Sequence, residues 1–406
     1  MKIAFLSETL PPAQNGQGVV LYRLLEGFGP DEYCLVSALA WGAGEGEARV
    51  AGQLPGKYYR LSPGFRLRRG HRFGLARARE GFNIPAGILQ RARQLTRIMR
   101  RENCDAVVAC TGDLLDLPAG YLASRRAKVP FYPYIFDHYS YREWRDPARK
   151  FWAKRLEPFL LKGATRVIVP NETLRDDLRR SYGVEAAVIH NSFDISPYES
   201  NGRPAPAVSE DKAEGEVRIV YTGDVYEAHY DAFRNLLAAI TSLGRPGVKL
   251  HLYTERSPDE LAAEGIRGPV VHRPRHALSE MPRIQMEADI LFLPLAFNSP
   301  YPDLVRTSAT TKLGEYLAAR RPVLVHAPPD SFISWYFREH ECGVVVDRLD
   351  TSALARGLAR LLDDGALRER LGARGWERVR MDFSIQEARA KFVELVGRGR
   401  HAAPSV

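Results

Sequence analysis

Residues 310–328, TTKLGEYLAARRPVLVHAP, carry a helix pattern that runs directly into a strand pattern. Leu313, Tyr316 and Leu317 fall on one face of a helix, and the VLVH run at residues 323–326 is short and apolar. A helix that leads into a buried strand is half of a βαβ unit. The stretch therefore predicts a parallel sheet covered by helices.

The same alternation runs along the whole chain. Strand patterns in the first half are KIAFLS, EYCLVSA, KYYRLS, AVVAC, FYPYIFD, RVIVP and AVIHN, and in the second half VRIVYTG, VKLHLYT, PVVHRP, ADILFLPL, RPVLVHAP and GVVVD. Helical patterns, such as residues 87–102 and 148–161, separate them. Strands that alternate with helices imply right-handed βαβ units. The fold class is therefore α/β, with two doubly wound, Rossmann-like parallel sheets.

A polar break rich in Pro, Gly and Glu divides the two halves. We assign residues 1–197 to an N-terminal domain, 198–216 to a linker and 217–383 to a C-terminal domain. Three helical patterns close the chain, near residues 352–362, 366–381 and 384–396.

Composition excludes several classes of protein. The chain has 406 residues, of which 45% are hydrophobic and 26% charged, so collagen-like, coiled-coil and wholly disordered chains are excluded. No run of eighteen apolar residues without a charge occurs, so we expect no membrane-spanning helix. The apolar run near residue 1 is too short for a signal peptide. Four scattered cysteines fit reduced thiols better than a disulfide framework. We expect a cytoplasmic protein.

Positive charge is concentrated in one basic tract, residues 57–101, which begins at Lys57 and ends at Arg101. It holds thirteen Lys and Arg against one acid, Glu80, whereas the whole chain has a net charge of only +9. Such a tract could dock on anionic lipid headgroups, bind an acidic polymer, or simply be a solvated surface. Because no nucleic-acid recognition motif accompanies it, we favour the inner face of a membrane over nucleic acid.

In open α/β sheets, ligands bind beyond the carboxyl ends of the strands. Gly16 and Gly18 follow the first strand and precede a helix expected to begin near Val19, so backbone amides there could meet an anion or a hydroxyl. As a dinucleotide fingerprint the loop is weak, because the third glycine is missing. An ordinary entry into a helix is the alternative.

An acid and an imidazole, Asp137 and His138, follow the FYPYIFD strand. At the end of a strand, such a pair can contact a polar substrate or transfer a proton. Neighbours on a strand point to opposite faces, so we expect only one of them to reach substrate. The alternative is that Asp137 caps a turn and His138 packs.

The stretch at residues 310–328 also suggests an anion site. Threonines Thr310 and Thr311 are good N-cap residues, so we expect a helix to begin near Thr310 with its positive end exposed. Arg306 and Lys312 lie beside that end, and Glu315 lies one turn further on, where it could accept hydrogen bonds from ribose hydroxyls. Amides, a dipole and two cations at one point favour a diphosphate. A surface helix with a solvated Glu is the alternative.

As a set, these motifs resemble glycosyltransferase family 4 and its neighbours, which are retaining, nucleotide-sugar-dependent enzymes with the two-domain GT-B architecture. The matching stretches are MKIAFLSETLPPAQNGQG, VIHNSFD at residues 188–194, RIVYTGDVYEAHYD at residues 218–231, and TTKLGEYLAARRPVLVHAP. Together they span nearly the whole chain.

The resemblance implies roles for individual residues. Gly16 and Gly18 would lie at the acceptor and phosphate side, Asp137 or His138 by the transferred sugar, and Gly223 in the loop after the second domain's first strand. Glu315 would hold the ribose, and the helix within residues 384–400 would pack back on the first domain.

Two departures from the family pattern stand out. The family commonly has two Glu separated by seven residues, but Thr307 occupies the first position. The Arg and Lys that often follow the glycine equivalent to Gly223 are also absent. Arg306 and Lys312 are the remaining candidates to neutralise phosphate.

The sequence thus predicts a hexosyltransferase that moves a hexose from a UDP- or GDP-sugar to a glycan or a lipid-linked acceptor, in surface polysaccharide or glycolipid synthesis. No Asp-x-Asp triplet occurs, so we expect neither a metal nor a tightly bound cofactor. Two alternatives stay open: a sugar-nucleotide epimerase or hydrolase of the same fold, and a degenerate, non-catalytic scaffold that binds glycans.

Overall fold

The computed structural model describes residues 1–13, 16–39, 52–62, 75–140, 147–199, 212–274 and 276–398. Contacts within the chain divide it into two units. Residues Met1–His190, with the chain from Gln386 onward, form the first unit, and Asn191–Ile385 form the second.

The first unit alternates strands and helices. Its elements in chain order are β1 (Ile3–Leu6), α1 (Gly16–Leu25), β2 (Tyr33–Ser37), β3 (Lys57–Arg60), α2 (Leu75–Arg101), β4 (Ala106–Cys110), α3 (Asp116–Ala127), β5 (Phe131–Tyr134), α4 (Pro147–Lys162), β6 (Val167–Val169), α5 (Glu172–Tyr182) and β7 (Ala186–Val188). The strands form one parallel sheet in the order β3-β2-β1-β4-β5-β6-β7.

The second unit repeats this plan. Its elements are α6 (Ser196–Glu199), β8 (Val217–Thr222), α7 (Tyr230–Leu243), β9 (Val248–Tyr253), α8 (Pro258–Ala263), β10 (Val270–Arg273), α9 (Met281–Met286), β11 (Ile290–Pro294), α10 (Pro302–Arg306), α11 (Lys312–Ala318), β12 (Val323–His326), α12 (Phe332–Glu339), β13 (Val344–Val346), α13 (Thr351–Asp363) and α14 (Gly365–Asp382). A short 3-10 turn, Leu278–Glu280, precedes α9. The sheet is parallel, in the order β10-β9-β8-β11-β12-β13.

Two doubly wound parallel sheets are therefore confirmed. In each sheet the strand order reverses beside the unit's first strand, between β1 and β4 in the first unit and between β8 and β11 in the second. These are the points where open sheets leave a crevice for ligands.

The last helix, α15 (Ile385–Arg398), packs on the sheet of the first unit. Phe392 is fully buried, and its ring stacks on Phe5 of β1 with the centroids 5.9 Å apart. The Arg389 side chain donates hydrogen bonds to the carbonyls of Leu24 and Arg23 at the end of α1. Burial of its apolar stripe fixes α15 in this position.

Residues 191–197, which the sequence assigned to the first domain, belong to the second unit, as does Tyr198 of the predicted linker. Phe193 and Tyr198 are buried in its core, and the Tyr198 hydroxyl donates to Gln285 Oε1 at 2.7 Å. The predicted linker residues 200–211 lie outside the described residues. Near its end, Lys212 pairs with Asp289 at 2.7 Å, so this part is attached to the second unit.

Candidate functional site

The loop after β1 is fixed by short contacts. Gln17 Nε2 donates to Ser7 Oγ at 2.7 Å, and Ser7 Oγ donates to the Thr9 carbonyl at 2.6 Å. Gly18 is buried, and a Cβ there would lie 2.3 Å from the Ala13 carbonyl oxygen, so no larger residue fits. Gly16 is exposed and has open space beside it. The helix expected near Val19 instead begins at Gly16.

Asp137 and His138 differ in their exposure to solvent. Asp137 is exposed just beyond β5, whereas the His138 side chain is 2% exposed and its Nε2 lies 3.1 Å from Asp177 Oδ2. Asp177 belongs to α5 and also contacts Arg180. The imidazole is therefore anchored to α5, while the carboxylate next to it reaches the surface.

A third polar group at this sheet edge escaped the sequence reasoning. Asp113 and Asp116 follow β4, and both accept hydrogen bonds from Arg91 Nη1 of α2. Burial raises the pKa of the fully buried Asp116 to about 7, against the lowering effect of Arg91. Because β4 neighbours β1 at the reversal of strand order, the strand-end rule could have found this group from the TGDLLD stretch.

In the second unit, the structure brings Gly223 and Lys312 together. Gly223 follows β8 with φ +124°, a conformation that side chains rarely adopt. A Cβ at this position would lie 2.7 Å from the Lys312 ammonium nitrogen. The same nitrogen lies 5.2 Å from the centroid of the Tyr221 ring, a cation–π distance. The glycine thus leaves room for a cation at the carboxyl end of β8.

Glu315 joins a hydrogen-bond network at the same strand end. Gln285 is fully buried, and its Nε2 donates to Glu315 Oε2 at 3.4 Å and to Thr222 Oγ1 at 3.3 Å. The Thr222 backbone N–H donates to the Tyr316 hydroxyl at 2.9 Å. Glu315 is half-buried, so the network fixes its carboxylate while leaving part of it accessible.

His229, just before α7, is a third residue that the sequence reasoning missed. It is 7% exposed, and its ring packs edge-on against Tyr226 and Tyr221 with centroids 4.5 and 5.8 Å away. Burial, with the positive charge of Lys312 as a smaller cause, lowers the pKa of His229 to about 3. Its buried Nδ1 has no hydrogen-bond partner among the described residues. Only the folded chain reveals this neutral imidazole beside a cation.

The remaining predicted residues lie around α10 and α11. Arg306 ends α10, with Nη2 3.9 Å from Asp303 Oδ1, and the buried Thr307 donates its hydroxyl to the Asp303 carbonyl. The helix expected to begin near Thr310 begins instead at Lys312, because residues 307–311 form the turn after α10. Thr311 is the N-cap residue, and its side chain makes no capping hydrogen bond.

The ten predicted residues thus fall into two groups. Gly16, Gly18, Asp137 and His138 belong to the first unit, and the other six belong to the second. Contacts tie Gly223, Lys312 and Glu315 to the carboxyl end of β8. That all ten share one cleft stays a prediction.

Comparison with known proteins gives two matches to family models. Residues 14–196 match the family model described as Glycosyltransferase Family 4, and residues 216–364 match the one described as Glycosyl transferases group 1. No curated protein matches the chain.

Solved structures show the same fold at low identity. Sucrose-phosphate synthase from Thermosynechococcus elongatus is 16% identical with a TM-score of 0.68, and the match covers 99% of this chain and 100% of that one. HepE from Anabaena in complex with UDP-glucose is 14% identical with a TM-score of 0.68, covering 98% and 100%. Trehalose 6-phosphate synthase from Burkholderia multivorans is 12% identical with a TM-score of 0.67, covering 99% and 100%.

The fold and the family matches together define a glycosyltransferase with the GT-B fold. The resemblance to family 4 is confirmed, because one glycosyltransferase family model matches residues 14–196 and another matches residues 216–364. Within the described parts of the chain, no helix is both long and apolar enough to cross a membrane. The same residues include no cluster of three or more His, Cys, Asp or Glu suited to a metal, and independence from metal stays a prediction.

Proposed function

We propose that the protein transfers a hexose from a UDP- or GDP-sugar and that the second unit holds this donor. The observation that carries the proposal is the Lys312 ammonium, which lies in the space above Gly223 while Glu315 is fixed in the adjoining network. A cation at this point neutralises a diphosphate, and a fixed carboxylate accepts hydrogen bonds from ribose hydroxyls. HepE binds UDP and UDP-glucose, which supports a UDP-sugar as donor.

The leaving group is then stabilised without a metal. The Lys312 ammonium and the amides at the start of α11 oppose the negative charge that develops on the departing phosphate, and Arg306 adds a second cation. In a retaining reaction of this type the departing phosphate takes the proton of the acceptor hydroxyl, so no separate general base is needed. Thr307 offers no carboxylate to the sugar, so sugar contacts must come from other groups.

The first unit supplies the acceptor side in this proposal. Gly16 and Gly18 bring backbone amides close to the substrate, and Asp137 is the exposed member of the acid–imidazole pair. His138, which bonds to Asp177, positions the loop that carries Asp137. The acceptor is a glycan or a lipid-linked sugar, and the product belongs to surface polysaccharide or glycolipid synthesis.

We further propose that the enzyme works in the cytoplasm, at the inner face of the membrane. Part of the basic tract pairs with acidic residues of the protein itself. Arg91 pairs with Asp113 and Asp116, and Lys57 pairs with Glu102. Exposed tract arginines on α2 are Arg93, Arg97, Arg100 and Arg101. The positive charge of these arginines attracts anionic lipid headgroups that lie within about one Debye length. Residues 63–74 of the tract lie outside the described residues.

A transfer assay tests the reaction against its alternatives. The protein is incubated with radiolabelled UDP-glucose or GDP-mannose, with and without a membrane glycolipid extract. A transferase labels the extract, whereas an epimerase or hydrolase converts the donor equally well without it. A scaffold leaves the donor unchanged. Equal turnover in both arms, or none, would contradict the proposal.

A further inference from the structure

The face of α4 that is turned away from the core carries exposed aromatic side chains. The helix buries Ala153, Glu157, Leu160 and Leu161 against the first unit. At 100° per residue, the stripe opposite these residues consists of Phe151, Arg155, Phe159 and Lys162. Phe151 and Phe159 are each 56% exposed. The side that the core leaves free therefore carries two large aromatic rings.

The charge of this face has one sign. Four exposed cations lie on α4, namely Lys150, Lys154, Arg155 and Lys162, of which Arg155 and Lys162 belong to the outward stripe and the two lysines flank it, and the single acid of the helix is Glu157. Glu157 is 1% exposed, and it accepts hydrogen bonds from the Tyr139 backbone N–H at 3.0 Å and the Tyr182 hydroxyl at 2.7 Å. Its charge is turned into the protein. Ordinary solvated helices interleave both signs, and this one does not.

Neighbouring groups hold the two rings in their exposed positions. The Arg155 guanidinium lies 5.6 Å from the centroid of the Phe151 ring, and Phe159 packs edge-on against Tyr121 at 5.1 Å. The two phenylalanines are about 12 Å apart along the helix axis. Cations between and beside them form a face that is apolar at two points and positive elsewhere.

We propose that this α4 face docks the first unit on a bilayer that contains anionic lipid. Phe151 and Phe159 enter the boundary between headgroups and acyl chains, while Arg155, Lys162 and the flanking lysines meet lipid phosphates. Charge of one sign beside aromatic rings suits a lipid surface better than a protein partner, whose interface would pair charges of both signs. The inference deepens the proposed function and rests on it for the membrane location of the acceptor.

Vesicle sedimentation at low salt tests the assignment. Wild-type protein is mixed with phosphatidylcholine vesicles that contain or lack phosphatidylglycerol. We expect binding to the anionic vesicles only, release at high salt, and about a tenfold loss of binding in the Phe151→Ser/Phe159→Ser variant. The matched control is Met381→Ser on α14 of the second unit, an apolar side chain that is 62% exposed and lies outside the basic tract, and we expect it to bind within about twofold of wild type.

Several results would overturn the proposal. These are no binding of wild type to anionic vesicles, equal binding to neutral ones, or a loss in Met381→Ser that the α4 variant does not show. Self-association of wild type that the α4 substitutions abolish, without vesicle binding, would assign the face to a second copy instead. Calorimetry with UDP separates this inference from the proposed function, because the α4 variant should bind UDP like wild type. Failure of every protein to bind UDP would count against the donor site alone.

Discussion

Lys312 is the residue on which the donor site depends most. Its ammonium lies over the Tyr221 ring and fills the space that any side chain at position 223 would need. The family pattern places cations in the loop after this glycine, and here they are absent. We propose that Lys312 of α11 supplies this cation instead, in the space that Gly223 leaves open.

Substitution Gly223→Ala should therefore weaken UDP binding, because the new methyl group displaces the Lys312 ammonium. We expect about a tenfold loss of affinity, or about 1.4 kcal/mol, in calorimetry. Gly268→Ala is the control, since Gly268 also has a positive φ, +108°, but has open space beside it. Equal affinities in both variants and wild type would show that Lys312 does not contribute.

His229 predicts a pH dependence of stability. Its pKa is about 3 in the folded chain against 6.5 when unfolded, so protons bind preferentially to the unfolded chain between these values. The stability that neutral His229 maintains is present above pH 6.5 and declines as the pH falls below it. By linkage, the contribution lost at pH 5 is about 2 kcal/mol.

The variant His229→Phe keeps an aromatic ring and cannot be protonated. Between pH 7 and pH 5 its free energy of unfolding should fall less than that of wild type, as measured by urea denaturation. Parallel pH profiles for wild type and His229→Phe would refute the burial argument.

At the scale of elements, the periodic parts of the fold followed from the sequence. All six strand patterns of the second half became strands β8 to β13, because continuous apolar runs suit a sheet covered on both faces. The short helices α8 and α9 follow their strands as the alternation predicts, but their bounds were not predicted, since each has only six residues and too few turns for a periodic pattern. The five-residue helix α10 was not predicted, and α11 begins two residues later than expected, at Lys312.

The candidate site residues also include some that were named from the sequence and some that were not. Lys312 and Glu315 were named from the pattern around residue 310 and Gly223 from the family resemblance, and contacts tie all three to the carboxyl end of β8, while their role in binding the donor stays a prediction. Asp116 was not singled out although the strand-end rule applies to it, whereas His229 was missed because its properties come from burial among residues distant in sequence. Burial of this kind has no local signature in a single chain.

Docking of α15 makes a prediction about stability. Removing the Phe392 ring leaves a cavity against Phe5, so Phe392→Ala should destabilise the first unit by about 3–5 kcal/mol in urea unfolding. Val393→Ala, next to it and 46% exposed, should cost less than about 0.5 kcal/mol. Equal stability of the two variants would mean that α15 does not support the first unit.

At the scale of the whole molecule, the chain is two α/β units with separate cores, and each has its own strand-order reversal. The predicted donor residues around β8 and α11 lie in the second unit, and the acid–imidazole pair and the α4 face lie in the first. In the proposed function, the second unit holds the nucleotide sugar while the first unit approaches an acceptor in a membrane. Its central claim is that the donor's charged leaving group binds at Lys312 and Glu315.

Titration calorimetry with UDP is the most direct test of that claim. Lys312→Met and Glu315→Ala should each weaken binding by about 1–3 kcal/mol, the range for hydrogen bonds that involve a charged group. Lys249→Met and Glu339→Ala, at exposed positions of the same unit, should bind like wild type. Wild-type affinity in both site variants would contradict the account.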